Sequence, residues 1–536
     1  MPERVQKNAA FINGMSVTGT QCRVIDTSPT SGMCPICIHD CAFLCEISLS
    51  AFRGREVLYP TPQYFGMSTA GSLKDYGLTW EDFNIMAELL GAKGIAEDSD
   101  LALFENADIT TKLGGIPLKM PVIAGAFGST AVAAVNWDGL AVGSAISGVS
   151  LIVGENVCAM DQNSKITNGK ITYSADMERR VKKYREFWDG KNGEVVVQTN
   201  VEDQRLGVDE YVISNLEVNV VERKWGQGAK AIGGEVRLTS LERAKLLKSR
   251  GYIVIPDPDD PTVEEAFKSK VFNTFERHSR VGMPKQRSFV EDVQWLRDHG
   301  AKKVTIKTGA YRPSTVAWTM KVASDAQVDY VTFDGAGGGT GMSPVPMMNE
   351  MSTPTVYLAA QVLKCCQILK KKGRYVPDIV IAGGNINETQ IYKALAMSNF
   401  GDGPFFKAVC IARSPLTAVM KSDYFLQLGK DGKLPKSFTD LYGDSPEKYY
   451  YALPELKEKF GEEEVKKMPY QGIALYSYLT DRIGTGLKQL LAGSREFKLE
   501  LLNRNNLASL SERAAKVTGI PLLEELDADD MEQILS

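Results

Sequence analysis

The stretch DGAGGGTGMSP, from Asp334 to Pro344, directly follows the apolar run VDYVTF, Val328–Phe333. That run is rich in β-branched and aromatic residues, which predicts a buried strand. The stretch itself holds five glycines within seven residues, and glycine has no Cβ to keep a large, flat or anionic ligand away from the backbone. Thr340 and Ser343 add hydroxyl donors. A plain glycine turn is the alternative, so the interpretation depends on the other strand ends.

Seven further short runs of buried-strand character lie along the chain, separated by helical or loop segments. Eight parallel strands joined by crossovers predict an α/β fold of the TIM (β/α)8 barrel type. The predicted strands are residues 121–126, 150–155, 195–200, 219–226, 302–309, 329–335, 378–384 and 408–413.

The segments around these strands divide the chain into three predicted parts. Residues 1–116 form a cysteine-rich N-terminal region, with a helical stretch near residues 80–90. Residues 117–415 form the barrel, with a long insertion at 231–300 between the fourth and fifth strands. Residues 416–536 read as a helical C-terminal extension, because apolar residues recur there at helical spacing.

Composition limits the classes of function. The 536 residues are 43% hydrophobic and 24% charged, which is typical of a globular protein, and the net charge is −4. That charge gives no bulk electrostatic reason to bind nucleic acid or an anionic membrane. The N-terminus has no apolar core of a secretory signal, and no segment resembles a lipid-facing helix. We therefore expect a cytoplasmic protein without a nucleic-acid or membrane partner.

Two adjacent strand ends predict a phosphate site. In TIM barrels the active residues follow the C-terminal ends of the strands, and phosphate binds after strands seven and eight. The seventh predicted strand ends at Gly383 and Gly384, and the eighth ends at Ala412 and Arg413. Backbone N–H groups of glycines and a guanidinium are suited to phosphate oxygens.

Small or polar residues also stand at the other strand ends. A lone lysine is more often a solvated rim residue than a ligand-binding one, but here all these groups occur in barrel order. The joint arrangement favours one common site. Its remaining candidates are Gly125, Ala126, Gly128 and Ser129 after the first strand, Glu155 after the second, Gln227 and Lys230 after the fourth, and Lys307 at the end of the fifth.

Taken in order, these motifs resemble a known family. GAFGS, GEN, GQGAK, the IKTG strand, DGAGGGTGMSP and IAGGNI are similar to the FMN-binding synthase domain of glutamate synthases. The family pattern reads GAMSFG, TGEGG, GQGAKPG, a VK strand, GGTGASP and DGG. The resemblance covers residues 117–415, and its specific motifs are GQGAK and GGTGxSP. It implies an FMN-dependent oxidoreductase of the class that acts on CH–NH2 donors, with an imine or 2-oxo-acid-derived substrate.

The resemblance also implies a place for each part of the cofactor. Its isoalloxazine would lie against the Gly125–Ser129 backbone, with Lys307 at the N1/O2 edge, where positive charge stabilises reduced anionic flavin. Gln227 and Lys230 would line the flavin and substrate side, and Glu155 would complete the mouth. The phosphate would be held by Gly338, Gly339, Thr340, Gly341, Gly383, Gly384, Ala412 and Arg413.

The chain departs from the family pattern at four points. It begins Met-Pro without a glutaminase domain, so we expect no glutamine hydrolysis in cis. After GQGAK it reads AIGGE, which moves the carboxylate to Glu235. The family's PPHHD stretch has no match, and His278 is a lone histidine. The family's cluster cysteines follow strand eight, where this chain has only Cys410 nearby.

Four of the nine cysteines crowd into twelve residues near the N-terminus, in CPICIHDCAFLC: Cys34, Cys37, Cys41 and Cys45. Their spacing matches one helix face, but a regular helix would spread them over about 16 Å, too far for one metal centre. Local C-x2-C-x3-C runs are typical of iron–sulfur ligation. We therefore predict an iron–sulfur cluster, of the 4Fe–4S or 3Fe–4S type, with zinc or buried thiols as alternatives.

Two classes of function follow. In the first, electrons enter through the iron–sulfur cluster, reduce FMN and pass to the substrate, in glutamate synthase-like amino-acid metabolism. In the second, the chain is an FMN-binding electron-transfer, isomerase or transferase subunit of a larger complex. No GxGxxG fingerprint follows a strand, so the expected electron donor is a ferredoxin-like protein or a reductase subunit rather than NAD(P)H. A homo-oligomer is a further expectation.

Overall fold

The computed structural model describes residues 45–59, 70–72 and 74–536. Eight parallel strands close into a barrel, which confirms the predicted TIM-barrel fold. Each of the eight predicted runs overlaps one strand. The strands are β1 (Val122–Phe127), β2 (Ser150–Val153), β3 (Val195–Thr199), β4 (Val220–Lys224), β5 (Lys303–Gly309), β6 (Tyr330–Asp334), β7 (Asp378–Ala382) and β8 (Phe406–Ile411).

Helices connect the strands and surround the barrel. Their starts follow ordinary capping rules: Ser174 accepts a hydrogen bond from Met177 N, and Pro313 occupies the first turn of its helix. In chain order these helices are Ala131–Val135, Trp137–Ile146, Val157–Met160, Ala175–Glu186, Val201–Arg205, Val208–Leu216, Gln286–Asp298, Pro313–Asp325, Thr355–Lys371, Glu388–Met397 and Arg413–Lys430.

The barrel interior changes character along its axis. At the N-terminal end it is apolar, and a hairpin of strands Thr111–Leu113 and Ile116–Leu118 packs its own apolar side chains there. Along each strand every second side chain points into the barrel. Two residues closer to the C-terminal strand ends, these inward positions are polar. Glu222 and Thr305 are fully buried at this level. The C-terminal end is therefore a polar, open end above a closed apolar base.

The segment between β4 and β5 contains a small antiparallel sheet. Its strands are Glu235–Leu238, Ile253–Ile255 and Phe275–His278, and the last of these lies in the middle. Helices Leu241–Ser249 and Pro261–Lys268 join them. The sheet brings side chains of its first and central strands to the C-terminal end of the barrel.

The region after β8 is mainly helical. Its Tyr470–Tyr476 helix packs closely on Trp137–Ile146, where Gly139 and Gly143 leave room for the contact. The other helices are Lys436–Tyr442, Pro446–Tyr449, Leu453–Phe460, Glu462–Val465, Thr485–Gly493, Glu512–Thr518 and Ala528–Leu535.

The prediction of a helical stretch near residues 80–90 is wrong. A 3-10 turn at Trp80–Asp82 is followed by the strand Phe83–Ile85, which pairs antiparallel with Leu507–Ser509. The pairing joins segments more than 400 residues apart, and such tertiary contacts override local propensity. Within the described ranges, no helix combines the length and the apolar character needed to cross a bilayer.

Candidate functional site

A cavity of about 980 Å³ opens at the C-terminal ends of the barrel strands, within the size range of small-molecule and cofactor sites. Every predicted catalytic and cofactor-binding residue lines this cavity. These residues are Gly125, Ala126, Gly128, Ser129, Glu155, Gln227, Lys230, Lys307, Gly338, Gly339, Thr340, Gly341, Gly383, Gly384, Ala412 and Arg413.

One side of the cavity is formed by the glycine-rich ends of β6 and β7. Gly383 has φ +114°, a backbone conformation that favours glycine. Any other residue at this position would also place its Cβ 2.5 Å from the Gly335 carbonyl oxygen. The glycine loop also pairs with the N-terminal region, because Gly339–Thr340 forms an antiparallel ladder with Ala70–Gly71. This side therefore exposes backbone rather than side chains to the cavity.

Open polar groups lie at the adjoining end of β8. The 18-residue helix Arg413–Lys430 begins at the cavity, so the positive end of its dipole faces it. Arg413 donates to the Gly337 carbonyl at 2.6 Å. Asn385 is 95% buried, yet neither its Nδ2 nor its Oδ1 has a hydrogen-bond partner among the described residues. An anion at this end would satisfy groups that the protein leaves open.

Two lysines enter the cavity from neighbouring strands. Lys307 at the end of β5 lies 4.0 Å from the Asp334 carboxylate, and Lys224 at the end of β4 lies 3.9 Å from that of Glu155. Lys224 Nζ also donates to Gln227 Oε1 at 3.1 Å. All of these side chains are largely or wholly buried.

The pKa values show how these charges balance. Burial alone would lower the pKa of Lys307, but its acidic neighbours Cys410, Asp334 and Glu222 together raise it above its usual range. For Lys224 burial prevails and lowers the pKa. Burial would raise the pKa of Glu155, yet Lys224 and the other nearby lysines lower it. Lys307 thus keeps its positive charge in the cavity.

A second wall, next to the glycine loop, is formed by the GQGAK loop and the small sheet. Gln227 Nε2 donates to Thr340 Oγ1 at 3.1 Å, and Lys230 donates to the Met342 carbonyl. Both contacts hold the loop against the segment after β6. Burial lowers the pKa of Lys230 to about 8, and Glu235 opposes the shift. A lysine of this pKa exchanges its proton near neutral pH.

Several cavity residues did not emerge from the sequence. Lys224 falls inside a predicted strand, and only its parity with Glu222 indicates that it faces inward. Arg277 reaches the cavity from the central strand of the small sheet. No local sequence pattern predicts that this strand lies beside the barrel. Cys410 donates to the Gly125 carbonyl at 2.9 Å, and burial raises the pKa of its thiol to about 11. It is therefore a protonated thiol beside β1.

The predicted cluster cysteines Cys34, Cys37 and Cys41 lie outside the described residues. Cys45 is described and caps the N-terminus of the helix Glu46–Arg53. In the part of the chain that the structure describes, no group of three or more His, Cys, Asp or Glu side chains is arranged around a common metal position. The predicted iron–sulfur site thus stays a prediction.

Part of the barrel is similar in sequence to a known protein family. Residues 280–416 match the family described as a conserved region in glutamate synthase. That range contains β5 to β8 and the glycine-rich ends described above. No curated protein matches the chain.

Solved structures similar to this chain include three enzymes of low sequence identity. A lactate oxidase from Pediococcus acidilactici is 13% identical, covering 83% of this chain and 89% of that one, with a TM-score of 0.46. A double variant of flavocytochrome b2 with sulfite bound is 12% identical over 83% and 81%, with a TM-score of 0.43. An (S)-mandelate dehydrogenase, described as a monotopic membrane protein, is 11% identical over 80% and 89%, with a TM-score of 0.40.

Proposed function

We propose that the chain is an FMN-dependent oxidoreductase similar to the catalytic core of glutamate synthases. The proposal rests on one observation: the residues of all the family-like motifs, from GAFGS to IAGGNI, meet on a single cavity at the barrel end. The match of residues 280–416 to the glutamate synthase region supports it independently. When bound, FMN supplies two-electron chemistry at this position.

The residues present fit the phosphate of FMN. Donors surround one end of the cavity: Arg413, the start of its helix, and the Asn385 amide, which has no partner in the described ranges. The glycines of the β6 and β7 ends allow an anion to approach the backbone there. This end would bind the phosphate, and residues 74–536 contain no dinucleotide-binding fold for an adenylate half, so FMN fits better than FAD.

The residues near β1 and β5 fit the isoalloxazine. The Gly125–Ser129 segment lines the cavity after β1, and Lys307 enters the same cavity from the end of β5, on the other side of the barrel, with a firmly held positive charge. A cation beside the N1/O2 edge stabilises the reduced anionic ring. Lys307 therefore favours reduction of the cofactor.

The other wall fits an anionic, proton-consuming substrate. Lys230 and Lys224 are buried cations suited to a carboxylate, and Gln227 and Glu155 supply hydrogen-bonding groups. A 2-oxo acid and ammonia condense to an imine with loss of water. The imine then takes up a hydride at carbon and a proton at nitrogen to become an amine. Lys230, with a pKa of about 8, is the proposed proton donor.

Electrons would reach the cavity from the N-terminal region. Tyr59 donates to the cavity carboxylate Glu235 at 3.0 Å, and Ala70–Gly71 pairs with the glycine loop. The described segments that follow the cysteines thus lie beside the cavity. An iron–sulfur cluster on Cys34, Cys37, Cys41 and Cys45 would transfer single electrons from a ferredoxin-like donor or a reductase subunit to the flavin.

The test uses protein purified without oxygen. We expect acid to release FMN, and we expect glutamate to form from 2-oxoglutarate and ammonia when reduced methyl viologen supplies electrons. Reactions without ammonia are the control, and Lys230→Met should keep FMN but lose turnover. FAD, or no flavin, in fresh protein would contradict the proposal. Bound FMN without glutamate formation would favour the alternative, an FMN-binding electron-transfer, isomerase or transferase subunit.

A further inference from the structure

A line of titratable side chains connects the cavity with the protein surface. It starts at Lys230 in the cavity, continues through Glu235 on the first strand of the small sheet, and ends at His278 on the central strand. We call these three residues the lysine–histidine line. Side-chain exposure is 3% for Lys230, 2% for Glu235 and 21% for His278. The line therefore runs from the buried interior to solvent.

The inner half of the line joins Lys230 to Glu235. Lys230 Nζ lies 3.9 Å from Glu235 Oε2, a separation that a small side-chain movement or one water molecule closes. Glu235 Oε2 is buried and has no hydrogen-bond partner in the described part of the chain. Buried carboxylate oxygens are normally satisfied, so this atom is open toward the cavity cation.

The outer half of the line joins Glu235 to His278. Glu235 Oε1 lies 3.3 Å from His278 Nδ1, and the other ring nitrogen lies 3.0 Å from Glu276 Oε2. Tyr59 hydroxyl donates to both carboxylates, at 3.0 and 3.4 Å. Arg55 forms an ion pair with Glu276 at 2.6 Å. The imidazole is thus held in one orientation, with one nitrogen toward the interior.

We propose that Lys230, Glu235 and His278 form a proton path that resupplies the proton taken up by the substrate in the cavity. The proposal rests on the proposed function for the fate of that proton. For each proton that leaves the Lys230 ammonium, His278 gives one from Nδ1 to Glu235 Oε1. Rotation of the neutral Glu235 carboxyl group then turns this same proton toward Lys230, and Glu235 gives it to the Lys230 amine. The imidazole then recovers a proton from water, so one proton moves from solvent to substrate and no electrons move.

The acidities along the line support this path. Hydrogen bonds to Glu235 and Glu276 raise the pKa of His278 to about 9, and burial lowers the pKa of Lys230 to about 8. Because the two ends have similar pKa values, the net transfer of a proton from His278 to Lys230 costs little free energy. The titratable and charged groups that face the imidazole are Glu235, Glu276, Tyr59 and Arg55. Arg237 lies over the Tyr59 ring. The remaining strand of the small sheet, Ile253–Ile255, contributes no titratable or charged side chain.

The kinetic test removes the outer member of the line. We expect His278→Ala to lower the rate of glutamate formation from 2-oxoglutarate and ammonia by roughly a hundredfold, the lower end of general acid–base effects. Added imidazole should restore the rate in proportion to its protonated fraction. His299→Ala, at an exposed histidine stacked on Trp295, is the control and should show neither effect. A slowed variant that imidazole does not rescue would overturn the path.

A second measurement does not need turnover. The chain has three histidines, His39, His278 and His299, so nuclear magnetic resonance of labelled histidine resolves His278. We expect the pKa of His278 to fall toward its usual value in Glu235→Gln and to shift in Lys230→Met. If both variants leave His278 unchanged, the path is wrong even if glutamate forms. If wild type makes no glutamate but both shifts occur, the proposed function fails and the path stands.

Discussion

Lys224 and Lys307 are register partners on the adjacent strands β4 and β5, so two lysines enter the same cavity side by side. Their charges are balanced by different carboxylates, Glu155 at 3.9 Å and Asp334 at 4.0 Å. Proximity of the two cations helps to lower the pKa of Lys224, while Lys307 keeps its charge. The pair makes this part of the cavity suited to a group that becomes negative during reaction.

The first prediction concerns Lys307→Met. Removing this cation should weaken the binding of reduced flavin more than that of oxidised flavin, because only the reduced ring carries negative charge at the N1/O2 edge. One such contact is worth roughly 2.7–4 kcal/mol, which for a two-electron couple lowers the midpoint potential by about 60–90 mV. Anaerobic potentiometry with reference dyes measures it. Lys303→Met, at the opposite end of β5, is the matched control, and an unchanged potential in Lys307→Met would reject the role.

Much of the fold was predictable from local sequence. The eight barrel strands are buried on both faces, so they appear as short continuous β-branched runs that stand out from the helical segments. The strand ends were predictable too, since a parallel barrel brings every C-terminal strand end to one rim. GQGAK and the glycine loop could therefore be assigned to one site before any contact was known.

Other parts depend on long-range pairing and could not be predicted. Lys224 needs the register between β4 and β5 to become a cavity residue. Arg277 and His278 need the pairing of Phe275–His278 with Glu235–Leu238, which brings opposite faces of one strand to the cavity and to the lysine–histidine line. In each case the deciding hydrogen bonds join distant segments, which sequence periodicity does not encode.

The second prediction explains the glycine in the middle of GQGAK. A Cβ on Gly228 would lie deep inside van der Waals contact with the Gly335 carbonyl, which is backbone and cannot rotate away. Gly228→Ala should therefore destabilise the protein by about 1–3 kcal/mol or more, as overpacking does. Urea unfolding measures the change. Gly493→Ala, where a Cβ meets nothing within 4 Å, should be neutral, and equal stabilities of the two variants would contradict the packing argument.

The third prediction separates phosphate recognition from ring recognition. Arg413→Gln should weaken FMN binding about 10- to 150-fold, since a hydrogen bond to a charged group contributes roughly 1.5–3 kcal/mol. Affinity for riboflavin, which has no phosphate, should stay nearly unchanged. Flavin fluorescence quenching on apoprotein measures both constants. Lys421→Met, exposed on the same helix, controls for general charge. Equal losses for FMN and riboflavin would place the phosphate elsewhere.

The fourth prediction follows from the raised pKa of His278, about 9 against the usual 6.5. A group whose pKa is higher in the folded state stabilises the fold fully below about pH 6.5, and the gain is lost as pH rises through 9. Since the ring is partly exposed, we expect about 1–2 kcal/mol after allowing for solvent screening. Denaturant unfolding of wild type and His278→Gln should differ at pH 6 and converge near pH 10. A pH-independent difference would rule out this titration.

The fifth prediction concerns the N-terminal cysteines. The family's cluster cysteines have no counterpart after β8, and Cys410, within that strand, is a buried thiol donating to the Gly125 carbonyl. A flavin that stores two electrons needs a one-electron conduit when its donor is ferredoxin-like. Replacing Cys37 and Cys41 with Ser should therefore abolish iron binding and brown colour while FMN remains bound, because the barrel supplies the flavin site. Iron, sulfide and flavin assays on anaerobically prepared protein measure all three.

Cys365→Ser provides the matched control for these cysteines, because it removes a thiol from the barrel helix Thr355–Lys371. It should change neither the iron content nor the flavin content. The cluster variant should also lose reduction by a ferredoxin-like donor while dithionite still reduces its flavin, since only the conduit is missing. If the untreated protein contains zinc and neither iron nor sulfide, the cysteines form a structural site, and electrons must enter the cavity by another path.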